Sequence, residues 1–132
     1  MKNFSLSSKE RIKKRKDFEI IYSAGSIVYS SGKTIKAIYN YKITNIDANI
    51  KIAAVVGKRQ GCAVWRNRVK RLIKESYRLN KEMLLRECLG KKIDMKIVFS
   101  SPLFTEKKNK DLDLKDFMPG IIETMSIIRK KL

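Results

Sequence analysis

Between Lys58 and Lys74 the chain places seven cationic side chains, Lys58, Arg59, Arg66, Arg68, Lys70, Arg71 and Lys74, with no acid until Glu75. Lysine offers a point charge, whereas Arg and Asn offer planar, directed N–H donors that fit phosphate oxygens and base edges. The centre of the run, Arg66-Asn67-Arg68, is therefore suited to holding a polyanion. Bond-breaking groups are scarce elsewhere. The sequence contains no histidine, which removes the usual general base, the usual zinc ligand and the Ser-His and Cys-His pairs. The 13 acidic residues are scattered rather than grouped to hold metal ions. Gly57 and Gly61 flank Lys58-Arg59-Gln60, but no P-loop or dinucleotide fingerprint appears. Cys62 and Cys88 lie far apart without metal-ligand spacing and read as two reduced, partly buried thiols. No side chain is assigned a catalytic or metal-binding role.

The charge balance points the same way. Lys and Arg number 31 against 13 Asp and Glu, a net charge of +18 over 132 residues. Self-repulsion of this size weakens a compact domain unless a polyanion offsets it, so nucleic acid is the expected partner and an anionic membrane the alternative. No apolar run approaches the roughly 20 residues that span a bilayer. Met1 to Lys16 lacks the apolar core of a secretory signal. The expected location is the cytoplasm, with nucleic acid preferred over a membrane as partner.

The elements that must position these side chains can be read from periodicity. Residues 1–132 read as a single nucleic-acid-binding domain, with no repeat or internal boundary. Lys9 to Ala24 is basic and then apolar, with Phe18, Ile21 and Tyr22 at helical spacing and Gly25 as an expected left-handed cap. Ile27 to Tyr29 reads as a short strand. Lys33 to Ile43 reads as a longer one in which Ile35, Ala37, Tyr39, Tyr41 and Ile43 alternate with more polar residues. After a polar turn, Thr44 to Asn49, the run Ile50 to Val56 reads as a strand inside the sheet. A long helix is expected from Ala63 to about Leu89, with Gly90 and the cations after it as its stop. Ile93 to Phe99 alternates again as a strand. Residues 105–111 form a charged loop expected to be mobile. A last helix, with Pro119 in its first turn, buries Ile121, Ile122, Met125 and Ile128. The order helix, three strands, long helix, strand, helix is an α+β fold, a single α/β sandwich.

Within the long helix, at about 100° per residue, Arg66, Lys70, Lys81, Lys74, Asn67, Arg78 and Arg71 fall in a sector of roughly 140°. Trp65, Leu72, Ser76, Val69 and Ile73 occupy the opposite side. Runs of charge are usually solvated faces, but such faces mix signs for mutual support, and this one does not. It reads as a core-anchored helix that presents phosphate-binding cations.

The run from Gly57 to Glu75, with Gly61-Cys62-Ala63-Val64, Arg66-Asn67-Arg68 and Lys70-Arg71-Leu72-Ile73-Lys74 in order, closely resembles the signature of the bacterial ribonuclease P protein component. Asp17-Phe18, Gly25, the strands and the last helix extend the resemblance over most of the chain, and it weakens after Phe99. Departures are local. Cys62 stands where the family usually has the good helix cap Asn. Lys74 replaces an Arg, and Gly57 a Ser. Ser100-Ser101-Pro102 lacks a basic residue often found before that Pro.

The resemblance implies a protein subunit that assists a catalytic RNA in removing the 5′ leader of precursor tRNA. Catalysis resides in the RNA and its divalent ions, with Mg²⁺ expected in the RNA-containing holoenzyme. It also implies a left-handed crossover around the Arg-Asn-Arg helix, against the usual rule. Arg11, Lys14, Lys58, Arg59, Arg66, Asn67, Arg68, Lys70, Arg71 and Lys74 are the expected RNA contacts. Phe18, Tyr22 and Tyr39 match the aromatic positions of a cleft that holds the single-stranded leader, where rings stack on bases without demanding a sequence. The alternative is another small basic RNA binder of the ribosomal type. A self-sufficient nuclease would need clustered carboxylates. A DNA-binding helix-turn-helix would need a short second helix at turn spacing.

Overall fold

The computed structural model describes residues 8–44 and 48–132, so part of the polar turn after residue 44 lies outside the described residues. A 3₁₀ turn, Ser8–Glu10, precedes helix α1, Arg15–Ala24. Strands β1, Ser26–Tyr29, β2, Lys36–Ile43, and β3, Asn49–Val55, follow. Helices α2, Ala63–Asn80, and α3, Glu82–Lys91, lead to β4, Ile93–Ser100, and the chain ends in α4, Met118–Lys131. The helical spacing of Phe18, Ile21 and Tyr22 falls within α1, and the expected long helix is two helices joined at Lys81.

The sheet runs in the order β1-β2-β4-β3, with β1/β2 and β2/β4 antiparallel and β3/β4 parallel. Helices α2 and α3 form the crossover between the parallel pair. One face of the sheet is largely buried and the other only in part, which explains its apolar strands. On one face Ile50, Ile52, Ile93, Met95, Ile97 and Phe99 pack with Trp65, Val69, Ile73 and Tyr77 of α2 and with Ile121, Met125 and Ile128 of α4. On the other, Ile38, Ala53 and Val98 pack with Ile12 and with Ile21 of α1, and half-buried Phe18 leans on them. The alternation expected in β4 holds, since Ile93, Met95, Ile97 and Phe99 are all buried on the first face.

Three expectations change. Strand β3 is an edge of the four-stranded sheet rather than an interior strand. Its outer side is partly covered by the N-terminal segment, where Arg11 bridges Ile52 in parallel and the Ile12 N–H donates to the Ile52 carbonyl at 2.9 Å. Gly25 is extended (φ −76°, ψ 156°), not left-handed. It is needed there because a Cβ would lie 2.4 Å from the Ile21 oxygen and 2.8 Å from Ile38 Cγ2. Helix α3 runs through Gly90 and stops at Lys92, which takes the left-handed conformation (φ 56°) and donates its N–H to the Cys88 carbonyl.

Candidate nucleic-acid interface

Helix α2 buries Trp65, Val69, Ile73 and Tyr77, four positions each one turn apart, so this row fixes its rotation about its axis. Tyr77 was not singled out by sequence reasoning, although the four-residue spacing from Trp65 leads to it. With that row buried, Asn67 and Arg71 are exposed and Arg66, Lys70 and Lys74 half-exposed on the solvent side. Arg68, also half-exposed, is turned about 200° from Arg66 at 100° per residue and borders the far edge of the band. Among the described residues, none of Arg66, Arg68, Lys70, Arg71 and Lys74 pairs with an acid. The C-terminal end of the expected sector differs. Arg78 is held by Glu75 at 2.6 Å and Lys81 by Glu10 at 2.5 Å. The cation row with no acidic partner is thus the N-terminal half of the helix.

The chain gathers further cations around that half. Lys58 and Arg59 are exposed on a 3₁₀ turn just before α2. Arg66 Nε donates to the Gly61 carbonyl at 3.1 Å, which aims its guanidinium along the same end. Exposed Arg11, brought in by its bridge to β3, lies within electrostatic reach of Lys74. Burial, followed by the charges of Arg11 and Lys70, holds the Lys74 ammonium below its usual range. An anion bound beside Lys74 would favour its charged form. Lys14 is exposed at the start of α1.

The N-terminus of α2 is secured from a distance. Cys62 at the N-cap makes no side-chain cap. Instead Glu106 of the β4–α4 connection accepts the Cys62 N–H at 2.8 Å, placing a negative charge at the positive end of the helix. The Glu106 N–H donates to the Gln60 carbonyl at 2.7 Å, Gln60 Nε2 donates to the Ser101 and Phe104 carbonyls, and Trp65 Nε1 donates to the Asn109 carbonyl at 3.0 Å. The charged loop expected to be mobile is therefore fastened onto the helix by hydrogen bonds, most of them to backbone. Gly61 sits in this joint, where a Cβ would meet the Trp65 ring at 2.6 Å and Glu106 Cβ at 2.8 Å.

The aromatic cleft is only partly assembled. Phe18 is half-buried and Tyr22 is 55% exposed, both on α1 against the Ile38 face of the sheet. Tyr39 is a correction. It is 4% exposed and belongs to the opposite, α2-side core, stacked beside Tyr41 with ring centroids 6.3 Å apart. Since side chains alternate along β2, Ile38 faces α1 and Tyr39 cannot. Alternation and register instead put Lys36, Asn40 and Lys42 of β2, Lys51 of β3 and Lys96 of β4 on the Phe18 side. Sequence reasoning did not name them, yet the same alternation identifies them. Asp17, Ile20, Asn40, Lys42, Asp94 and Lys96 line a pocket there.

Comparison with known proteins decides the family. Residues 6–115 match the family described as Ribonuclease P. The chain belongs to the ribonuclease P protein family. It is 33% identical over 115 residues, 87% of this chain and 90% of the relative, to the Ribonuclease P protein component of Clostridium botulinum strain Loch Maree. It is 39% identical to that of Alkaliphilus metalliredigens over 75 residues, a match spanning 57% of this chain and 63% of the relative. A similar match spans 65% of the Syntrophus aciditrophicus relative. The fold resembles the Staphylococcus aureus RNase P protein, with TM-score 0.60 at 24% identity over 90% of this chain and 94% of that one. It resembles the Thermotoga maritima protein equally, with TM-score 0.60 at 21% identity over 93% and 97%. The ribonuclease P family match includes the whole of α2 and both β3 and β4, so the basic helix and its crossover lie inside the shared region.

Proposed function

We propose that the chain acts in the cytoplasm as the protein subunit of ribonuclease P, binding a catalytic RNA and precursor tRNA during removal of the 5′ leader. One observation carries this reading. The N-terminal half of α2 turns its apolar row into the core and presents to solvent cations that, among the described residues, have no acidic partner, continuous with Lys58, Arg59 and Arg11. Such a band neutralises phosphates, and its directed Arg and Asn donors fix the register of an RNA backbone. The side of the sheet that carries Phe18 and Tyr22 takes the single-stranded leader, with the lysines around it drawing in phosphates.

Hydrolysis in this reading belongs to the RNA, whose bound Mg²⁺ supplies an activated water and charge neutralisation. The protein's own residues bind and orient. Among the described residues, no three His, Cys, Asp or Glu side chains group to hold a metal ion, and no helix is long and apolar enough to cross a membrane.

The test is reconstitution with the ribonuclease P RNA of the same cell and a precursor tRNA. The protein should leave the precursor intact when alone, and should raise cleavage at the mature 5′ end when added to the RNA at low Mg²⁺. Cleavage by the protein alone, or no effect on the RNA, would sink the proposal. Preferential capture of ribosomal RNA would favour a ribosomal-type binder instead.

A further inference from the structure

We propose that the β4–α4 loop, residues 103–111, is a second RNA-backbone contact, in which Lys107 and Lys110 close with Arg59 around one phosphodiester group. The proposal rests on the reading of α2 as an RNA-binding helix and adds a surface to it. Arg59, Gln60, Gly61, Glu106, Lys107 and Lys110 line one open concavity of about 450 Å³, a volume within the roughly 300–1,000 Å³ of small-ligand sites. Three of the six are cations, contributed by two segments far apart in sequence. The one acid, Glu106, is already committed to the Cys62 N–H and lies 3.5 Å from its Sγ. Three cations against this single carboxylate leave the concavity net positive.

Position strengthens the case. Gly61 both lines the concavity and accepts the Arg66 side-chain hydrogen bond, so the loop cations continue the α2 band around its N-terminus. The loop is also held in shape. Asn109 donates its N–H to the Thr105 carbonyl at 2.7 Å and accepts the Thr105 N–H on its side chain at 3.1 Å, while its own carbonyl takes the Trp65 indole. Lysines on a fixed loop lose less freedom on meeting a phosphate than lysines on a mobile one. Glu106 is then a positioning residue, since it ties the loop to the helix whose charge the loop extends.

The experiment compares the full chain with Lys107→Ala/Lys110→Ala and with Glu106→Ala. Each is titrated against the ribonuclease P RNA alone, and then as assembled holoenzyme against precursor tRNA, over a series of KCl concentrations with melting curves alongside. Each phosphate contact contributes about 0.7–0.9 to the slope of log affinity against log salt. The double-lysine variant should melt like the parent and lose about one unit of slope on one of the two RNAs, which identifies the RNA that supplies the phosphate. Glu106→Ala keeps every cation and should lose a similar amount of slope. A steep parental slope that the double-lysine variant leaves unchanged on both RNAs would overturn this proposal alone. A flat parental slope would remove the α2 reading as well. If Glu106→Ala does not fold, the lysine pair still decides the matter; if it folds and keeps the parental slope, the positioning role is wrong.

Discussion

Arg66 and Trp65 are adjacent in sequence and opposite in consequence. Trp65 is 5% exposed, with its indole N–H held by the Asn109 carbonyl. Trp65→Ala should therefore cost about 3–5 kcal/mol of stability. Arg66 and Arg68 are half-exposed, and the most that Arg66→Ala forfeits within the fold is its hydrogen bond to Gly61, worth about 1 kcal/mol. Replacing either arginine should reduce RNA affinity while the melting point hardly moves. Thermal melts run beside RNA titrations check both, and an Arg66→Ala protein that melts early yet binds normally would contradict the assignment. The two cysteines separate in the same way. Cys62 is exposed, whereas Cys88 is buried beneath α3, and burial, followed by the charges of Glu87 and Asp94, pushes its thiol up to about 11. A thiol reagent near pH 7.5 should modify Cys62 and spare Cys88 until the protein is unfolded; equal labelling in the native state would mean that α3 does not pack as described. The sign of the pH effect follows. Below the ordinary thiol range near 8.5 both folded and unfolded chains keep the Cys88 proton. Between there and about 11 the unfolded chain ionises first, so stability from this residue is lost as pH rises through that window. The reading of both thiols as partly buried fits neither, because two cysteines with no partner pattern carry no signal of which one an element will cover.

At the scale of elements, α1 separates two roles that the sequence presents as one. Phe18 and Tyr22 stand one turn apart, but Phe18 leans on the Ile21–Ile38–Val98 cluster and Tyr22 does not. Phe18→Ala should lower the melting point and weaken every RNA to some degree. Tyr22→Ala should leave the melting point alone and cost about 1–3 kcal/mol, the worth of one base stack, only on substrates that carry a leader. Equal losses on precursor and mature tRNA for Tyr22→Ala would remove it from the leader surface. Tyr39 should behave as core on all substrates. The alternation that made β2 legible already grouped Tyr39 with Ile35 and Ala37, so its burial was present in the pattern; which face of the sheet stays open was not. Glycines were misread for a related reason. Gly25 was read as a left-handed cap, but close approach of α1 to β2 explains it equally from sequence, and only packing distinguishes the two. The same cause operates at Gly61, where Gly61→Ala should force Trp65 and Glu106 apart at a cost of about 1–3 kcal/mol, read as a lower melting point.

Over the whole molecule, the elements and their order were largely readable because burial imposes periods of two and 3.6 on the chain. What was not readable is non-local. The edge position of β3 depends on pairing with β4 across α2 and α3, and its partial cover comes from Arg11 and Ile12, forty residues away. Loop 105–111 looked mobile because its charged side chains carry no periodic signal, yet its backbone groups reach Gln60 and Trp65. The band from Arg59 through Arg66 and Lys70 to Lys74 and Arg11 likewise exists only once these segments meet. With a net charge of +18, the folded chain concentrates positive potential at that band, and counterion release then governs its affinity for RNA. The most direct measurement is the affinity of the purified protein for ribonuclease P RNA across a series of KCl concentrations, with Arg66→Ala/Arg68→Ala in parallel. The logarithm of affinity should fall steeply and linearly with the logarithm of salt, and the double variant should fall less steeply by about 1.4–1.8, two phosphate contacts' worth, at an unchanged melting point. A slope near zero for the parent, or a double variant indistinguishable from it, would contradict the assignment of α2 as the RNA-binding helix.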